Sequence, residues 1–409
     1  MKRGLKDFIL RICNVFIPKI EKSIFVNVGT SVLENCEDII NCGSSNVLSF
    51  INQMIKTSFD NRIVIYIGYL FEDRMEKYHE IKKEALKNNI DVRFFRVASA
   101  QSNKFTIIKM TIKKFFLMFR TKIWLVWSGD HYLLGKLKCQ KIINMNYFIS
   151  CKNDFVTGEN YRWNYLDGIL TTSMMASTVI SAQTGVKYDS CIELGFPRND
   201  TLFSRTNRDE VLSWLSEELG YVPNKIFVYA PTYRDYEKSS NETIKRSLFG
   251  YSTDFLEDFL KKNQYCLVCK LHNLTAASII HYPTGVVKFK YTFEFSFYDL
   301  MAISDCVITD YSSLGYDFLL LNRPIIYNLY DYEKYVKDRG MSYEPYDEFC
   351  PGRIVTSSEE MFEAMKEVAR GIDKYEEKRQ RLIRVFHKYP DGNSAKRFVE
   401  YLSLRFELK

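Results

Sequence analysis

The sequence predicts an α/β protein built as two doubly wound, Rossmann-like domains facing each other across a cleft. Three observations predict it. Short apolar runs of three to six residues recur through both halves, as in parallel strands covered on both faces. Amphipathic, charged segments of helical length separate them. The residue types able to hold a phosphate fall just after the apolar runs, at the carboxyl ends of strands, where open α/β sheets take their ligands. At 409 residues the chain has room for two domains of ordinary size.

In the first half, strands are predicted at 24–28, 63–67, 92–95, 123–127 and 141–145, with a charged helix over 75–89. The second half is predicted to begin near Asp189. Its strands fall at 192–194, 226–229, 266–271, 287–289, 307–309 and 325–327, with helices at 210–219 and 254–262 between them. The predicted domains are 1–187 and 188–409, with the last helix able to pack back on the first domain.

Residues 305–340 are the most informative stretch. Cys306-Val-Ile-Thr309 reads as a buried strand. Asp310 and Ser312-Ser313 follow at once, the residue types that sit at helix N-termini. The run Tyr316 to Leu321 carries the helix, and Arg323-Pro324 ends it. Free N–H groups and a partial positive charge suit such a helix start to a phosphate, and two serine hydroxyls add donors.

Charge is unevenly placed. Residues 1–22 carry a net +4 and 101–122 a net +6, together more than the whole chain's +7, so the remainder is slightly acidic. Both segments are also strongly apolar, through Leu5, Phe8, Ile9, Ile12 and Phe16, and through Ile107, Ile108, Ile112, Phe115, Phe116 and Phe119. That combination predicts helices lying on an anionic membrane surface. No run of about 18 uncharged apolar residues is present, so no membrane-crossing helix is expected. The N-terminal segment, with Lys6, Asp7 and Arg11 inside its apolar part, does not read as a secretory signal. The motif-bearing half lacks a basic stripe, which argues against nucleic acid as a partner. Ten cysteines, spread singly, predict free thiols in a reducing compartment. Cys266 and Cys269 have CxxC spacing, but a strand would point them to opposite faces, so a zinc or redox site is not expected. No GxGxxG follows the first strand, which disfavours a dehydrogenase.

Four blocks in the second half occur in order over about 160 residues: Gly195-Phe-Pro-Arg-Asn-Asp200; Tyr229-Ala-Pro-Thr-Tyr-Arg234-Asp235; Lys270-Leu-His272; and Thr309-Asp310-Tyr-Ser-Ser313, running through Asp317, Asn322-Arg-Pro324, Tyr330-Asp331 and Arg339-Gly340 to Pro351-Gly352. Through them the chain resembles the CDP-glycerol glycerophosphotransferase family, the enzymes that build teichoic acids and related phosphate-linked polymers. The resemblance implies a glycosyltransferase-B architecture. It also implies transfer of glycerol phosphate, or another alditol phosphate, from a CDP-linked donor to a hydroxyl of a lipid-linked glycan acceptor, with release of CMP. The expected place of work is the cytoplasmic face of the cell membrane, peripherally bound.

By the same resemblance His272 is expected at the donor pyrophosphate, as a hydrogen-bond donor or acid to the leaving phosphate. Thr232 and Arg234 are expected to hold phosphate oxygens, with Ser312 and Ser313 at the helix start. Asp310, Asp331 and Arg339 complete the expected substrate-side set. Asp310 and Asp317 also suit bracing of the turn, and Arg198 a structural link between Asp200 and the interdomain region. No cofactor or metal site is required. A divalent cation can assist through the donor diphosphate.

One departure stands out. Where the family carries a Trp-His-Gly motif in its first domain, this chain has Tyr147 and Phe148. A tyrosine is a poor base near pH 7. Three readings follow: the base has moved to His131 or to an acidic residue such as Asp154; a loose phosphoryl transition state needs no strong base; or the chain binds donor without transfer. A nucleotide-sugar glycosyltransferase and a membrane-associated scaffold are the alternative functions.

Overall fold

The computed structural model describes residues 12–13, 15, 17–27, 45–69, 75–97, 102–126, 136–146, 149, 151, 153, 163, 165–204, 206–232, 253–270, 282–290 and 295–408. Two parallel sheets organise them. The first contains β1 (Ser23–Asn27), β2 (Ile63–Tyr69), β3 (Ile90–Arg96), β4 (Ile123–Val126), β5 (Lys141–Asn144), β6 (Gly168–Thr171) and β7 (Cys191–Glu193), in the order β3-β2-β1-β4-β5-β6-β7. The second contains β8 (Lys225–Tyr229), β9 (Tyr265–Cys269), β10 (Val286–Lys288), β11 (Cys306–Thr309), β12 (Ile325–Asn328) and β13 (Arg353–Val355), in the order β10-β9-β8-β11-β12-β13. The central strands β4 and β11 are buried along their whole length, which is why they read as unbroken apolar runs rather than alternating ones.

Helices connect the strands. In the first half they are α1 (Ser45–Lys56), α2 (Met75–Leu86), α3 (Lys104–Arg120) and α4 (Met174–Thr184). In the second half they are α5 (Arg208–Leu219), α6 (Thr253–Asn263), α7 (Phe297–Ile303), α8 (Leu314–Phe318), α9 (Tyr332–Arg339) and α10 (Ser358–Ala369). Two C-terminal helices, α11 (Glu376–Phe386) and α12 (Ser394–Arg405), close the chain. α12 packs back on α1 of the first half, with the Phe398 and Phe50 rings 5.6 Å apart.

One strand expected to open the second half belongs to the first sheet. The strand at 191–193 pairs with β6 and closes the first sheet instead of opening the second. A three-residue strand shows itself in sequence, but its neighbour does not. Two further strands, β6 and β13, went unpredicted: one begins on glycine, and the other has three residues with only its last fully buried. The helix expected from Tyr316 to Leu321 is α8 followed by a single 3-10 turn, Leu319–Leu321.

Most of the core is one continuous apolar cluster that runs through both halves, from Ile24 and Trp124 to Val307 and Phe398. A second, smaller cluster lies on the other face of the second sheet, around Phe227, Leu260 and Ile326. Cys266 lies in the first cluster and Cys269 in the second, on opposite faces as their spacing predicts, and both are free thiols. Two motif glycines are sterically required. A Cβ on Gly352 would stand 2.0 Å from the Ile325 carbonyl oxygen, and Gly195, at φ +83°, has Ser394 Oγ where its Cβ would be.

Candidate active site

Each sheet reverses its strand order once, between β1 and β4 in the first and between β8 and β11 in the second. Such a reversal opens a crevice at the carboxyl ends of the two strands. In the second sheet the residues that follow β8 and β11 are Ala230 to Thr232 and Asp310 to Ser313, two of the blocks singled out in the sequence.

The turn after β11 is held from all sides. Thr309 Oγ1 donates to the Ala230 carbonyl at 2.8 Å. Thr232 donates both its N–H, at 2.9 and 3.0 Å, and its hydroxyl, at 2.7 Å, to the Asp310 carboxylate. Tyr346 OH donates to the Asp310 carbonyl at 3.0 Å, and the Cys151 thiol to the Tyr311 carbonyl at 2.8 Å. The Tyr311 hydroxyl reaches Asp331 Oδ1 at 3.0 Å, and its ring stacks on Tyr335. A backbone fixed this firmly is what a phosphate site needs, because preorganised donors lose little on binding.

These bonds show what three of the expected substrate-side residues hold within the protein. Thr232 gives its hydroxyl hydrogen and its N–H to Asp310, so it braces β8 against β11. Asp310, 2% exposed, is the other half of that brace. Asp331 accepts from Tyr311 and anchors the start of α9 to the turn. Ser312 and Ser313 remain at the mouth, both half-buried. Ser312 Oγ accepts from Leu314 N at 3.3 Å, which leaves its hydrogen free to point elsewhere, and the Ser313 side chain makes no capping bond. Arg339 ends α9, where the neighbouring Gly340 carbonyl accepts from Asn153 N of the first half at 3.2 Å.

His272, Arg234, Tyr147 and His131 lie outside the described residues, as does Asp154. The described residues that precede them follow strands. Lys270 follows β9, with Nζ 5.2 Å from the Phe297 ring, and leads into His272. Asn146 follows β5 and leads into Tyr147; β4 leads into the segment that holds His131. All four segments leave carboxyl ends of strands in parallel sheets.

Beneath the turn, Arg198 and Asp317, both expected to be structural, meet in a buried polar cluster, with Asp317 rather than Asp200 as the carboxylate that Arg198 pairs with. Asp317, in α8, accepts from Arg198 Nη2 at 2.7 Å, Tyr298 OH at 2.7 Å and Asn199 Nδ2 at 3.0 Å. Burial opposes the Arg198 charge, and Asp317 beside it more than restores it, so the guanidinium stays protonated. Burial and the adjacent carboxylate push the Tyr298 hydroxyl well above its ordinary range, so it acts only as a neutral donor. The motif Gly-Phe-Pro-Arg-Asn-Asp was the available signal, but not its partners.

A cavity of about 450 Å³ lies at the opposite, amino ends of β8, β11 and β12, lined by Arg208, Lys225, Asp305 and Arg323. Lys225 there pairs with Asp305, and Arg323 donates to the Ala302 and Ser304 carbonyls, so it is a poorer candidate than the carboxyl-end crevice. Among the described residues no cluster of metal-ligating side chains is present, and no helix is long and apolar enough to cross a membrane.

Comparison with known proteins agrees with this geometry. The chain is 25% identical over 323 residues to a teichoic acid glycerol-phosphate transferase of Staphylococcus aureus (strain NCTC 8325 / PS 47), covering 73% of this chain and 80% of the relative. It is 28% identical over 288 residues to a teichoic acid glycerol-phosphate primase of Bacillus subtilis (strain 168), covering 69% and 68%. The structure of the wall teichoic acid polymerase TagF superposes with a TM-score of 0.72 over 99% of this chain and 96% of that one, at 20% identity, which shows a shared fold. A UDP-GlcNAc 2-epimerase from Neisseria meningitidis shares it more distantly, with a TM-score of 0.51. The two-sheet arrangement is thus of the glycosyltransferase-B type. Residues 50–404 match CDP-Glycerol:Poly(glycerophosphate) glycerophosphotransferase, and the chain belongs to that family.

Proposed function

We propose that this protein transfers glycerol phosphate, or a related alditol phosphate, from a CDP-linked donor to a hydroxyl of a lipid-linked glycan acceptor. CMP leaves, and the product is a cell-surface polymer of the teichoic acid or capsule type. The observation that carries the proposal is the braced, hydroxyl-bearing turn Asp310–Ser313 at the switch point of the second sheet, in a chain of this family. The acceptor oxygen attacks the β-phosphorus and the bond to the CMP oxygen breaks. Negative charge spreads over phosphate oxygens, so the protein's task is to position and neutralise. Ser312 and Ser313 are the proposed hydroxyl donors to the diphosphate. Arg234 and His272 are the proposed cationic and acid contacts, with Tyr147 or His131 on the acceptor side.

The test is CMP release from CDP-glycerol and from CDP-ribitol, side by side, with lipid-linked acceptor and with His272→Ala as the blank. Release from one donor, lost in the variant, names the alditol. Donor binding with no release from either would point to a non-catalytic relative.

The proposed acceptor is lipid-linked, and α3 supplies a surface for the membrane that holds it. Phe105, Ile108, Ile112 and Phe116 follow one stripe of this helix and are all exposed, the first three by 78%, 58% and 64%. The exposed Lys104, Lys109 and Lys113 flank the stripe. The C-terminal part is anchored in the core, through Met118 and Phe119 with Phe115 and Leu117 packed beside them. An apolar stripe flanked by lysines fits the interface of an anionic leaflet.

A further inference from the structure

A chain of buried hydrogen bonds joins the two halves of the proposed site. It begins at Asn146, the residue before Tyr147, in a left-handed conformation at φ 43°. Asparagine tolerates that region better than most residues, yet it is held there only where the surroundings over-determine it. Here they do. The Asn146 N–H donates to Asn144 Oδ1 at 2.8 Å, and its side-chain Nδ2 donates to the Leu170 carbonyl at the end of β6 at 3.2 Å. Its carbonyl accepts from Asn46 Nδ2 at 2.8 Å.

Asn46 lies near the start of α1 and is fully buried. Its other side-chain atom, Oδ1, accepts from Arg198 N at 2.9 Å. Arg198 then reaches Asp317 in α8, the helix that opens directly after Ser313. Asn46, Asn146, Arg198 and Asp317 are each 4% exposed or less. From the turn before Tyr147 to the helix behind Ser312-Ser313, the path runs through buried polar groups.

We infer that Asn46 is a positioning residue for group transfer: it locks the acceptor-side turn at Asn146 to the donor-side helix α8 through Arg198 and Asp317. Asn46 suits this because its one amide both donates and accepts, which joins two backbone groups of opposite kind. Alanine removes both bonds. Aspartate keeps the acceptor for Arg198 N and replaces the donor that faces the Asn146 carbonyl with an oxygen. The strut fixes the distance and orientation between the halves of the site, and small misplacements of reacting groups cost rate far more than affinity.

This inference rests on the proposed transferase reading, and its test separates the two. Full-length parent, Asn46→Ala, Asn46→Asp and Asn146→Gly are compared for CMP release from CDP-glycerol and from CDP-ribitol with lipid-linked acceptor, and for donor affinity. Glycine at 146 keeps the left-handed backbone and the carbonyl that Asn46 holds while deleting the bond to Leu170, so it is the control, and Asn46→Asp, which keeps the bond to Arg198 N, carries the test where Asn46→Ala does not fold. For the Asn46 variants the expected result is a kcat lowered about tenfold or more per folded molecule, with donor Kd within about twofold of the parent. A kcat within twofold, or a loss that appears wholly as weaker donor binding, overturns the inference.

Amide hydrogen exchange on the same proteins provides a readout independent of turnover. Loss of Asn46 should speed exchange in 144–146 and in 314–318 together. Faster exchange on one side alone shows there is no coupling and also overturns it. A parent that releases no CMP from either CDP-glycerol or CDP-ribitol defeats the transferase reading, while the exchange result still decides the strut.

Discussion

At the scale of single residues, the structure rests much of its specificity on buried polar side chains. The Arg198–Asp317 pair is almost wholly out of water, at 5% and 1% side-chain exposure. Removing one member of such a pair leaves a buried charge uncompensated, at a cost of about 3–5 kcal/mol. Arg198→Met and Asp317→Leu should each lose that much in urea unfolding, and the double variant clearly less than the sum. Strict additivity would show that the two do not interact. His387 supplies a pH dependence. It is buried, its Nε2 donates to the Tyr316 carbonyl at 2.8 Å, and burial lowers its pKa below the ordinary 6.5 despite that bond and the nearby Asp317. The unfolded chain therefore takes up this proton first, and stability falls as pH drops below about 6.5. Asp200, pushed by burial up to about 6 against the pull of Ala395 and Ser394 N–H groups, works in the opposite sense and loses stability as pH rises toward 6. A difference measurement cancels it: between pH 7.5 and 5.5 the melting temperature of His387→Gln should decline less than that of the parent. Parallel decline would mean that His387 is protonated in the native state.

At the scale of elements, much of the fold was legible because strands buried on both faces announce themselves. β11, β8 and β12 were visible within a residue of their observed ends, as were α5 and α6 within two. What a strand pairs with was not legible, so β7 was assigned to the wrong sheet. The site shows the same limit. The motifs singled out Thr232, Asp310 and Asp331, and a bracing role was legible for Asp310, but sequence could not name Thr232 or Tyr311 as the bonding partners. Nor could it bring Asn46 to Arg198, since no local pattern encodes a contact between residues so far apart in the chain. The helix α3 shows what composition alone can and cannot do. Its apolar and basic content was plain, but the exposed stripe is Phe105, Ile108, Ile112 and Phe116, whereas Phe115 is half-buried and Phe119 is core, the two rings stacked on each other. Replacing Phe105, Ile108 and Ile112 by serine should therefore weaken sedimentation with phosphatidylserine vesicles by roughly tenfold or more. The melting temperature should hold, since none of the three is buried. Replacing Lys104, Lys109 and Lys113 by glutamine should weaken binding by roughly 1 kcal/mol each at low salt, and less at high salt. Unchanged sedimentation of the serine variant would place membrane contact elsewhere.

At the scale of the whole molecule, the two sheets do not behave as beads on a linker. The main apolar cluster passes from the first sheet into the second, and the chain crosses between them more than once. The loop after β5 contributes Cys151 and Asn153 to the turn after β11 and the end of α9. In return, the C-terminal segment crosses back: Lys388 N donates to the Thr172 carbonyl, Asp200 accepts from Ser394 and Ala395 at the start of α12, and Phe398, Val399 and Leu402 are buried. Two domains that share a core should unfold together, although chains of this size with separate cores commonly do not. Calorimetry of the parent is therefore expected to show one transition whose calorimetric and van't Hoff enthalpies agree. Two resolved transitions would refute the shared core. The interlock has a focal point in Phe398, which stacks near Phe50 of α1 and whose truncation to alanine should cost about 3–5 kcal/mol. Because Phe398 lies where α12 meets the first half, its loss should also loosen the join. Phe398→Ala should broaden or split the transition, whereas a truncation of similar size inside one sheet, such as Leu267→Ala, should lower the melting temperature and leave a single sharp peak. A Phe398→Ala transition that moves down without broadening would mean that the core is shared but α12 is not what couples the halves.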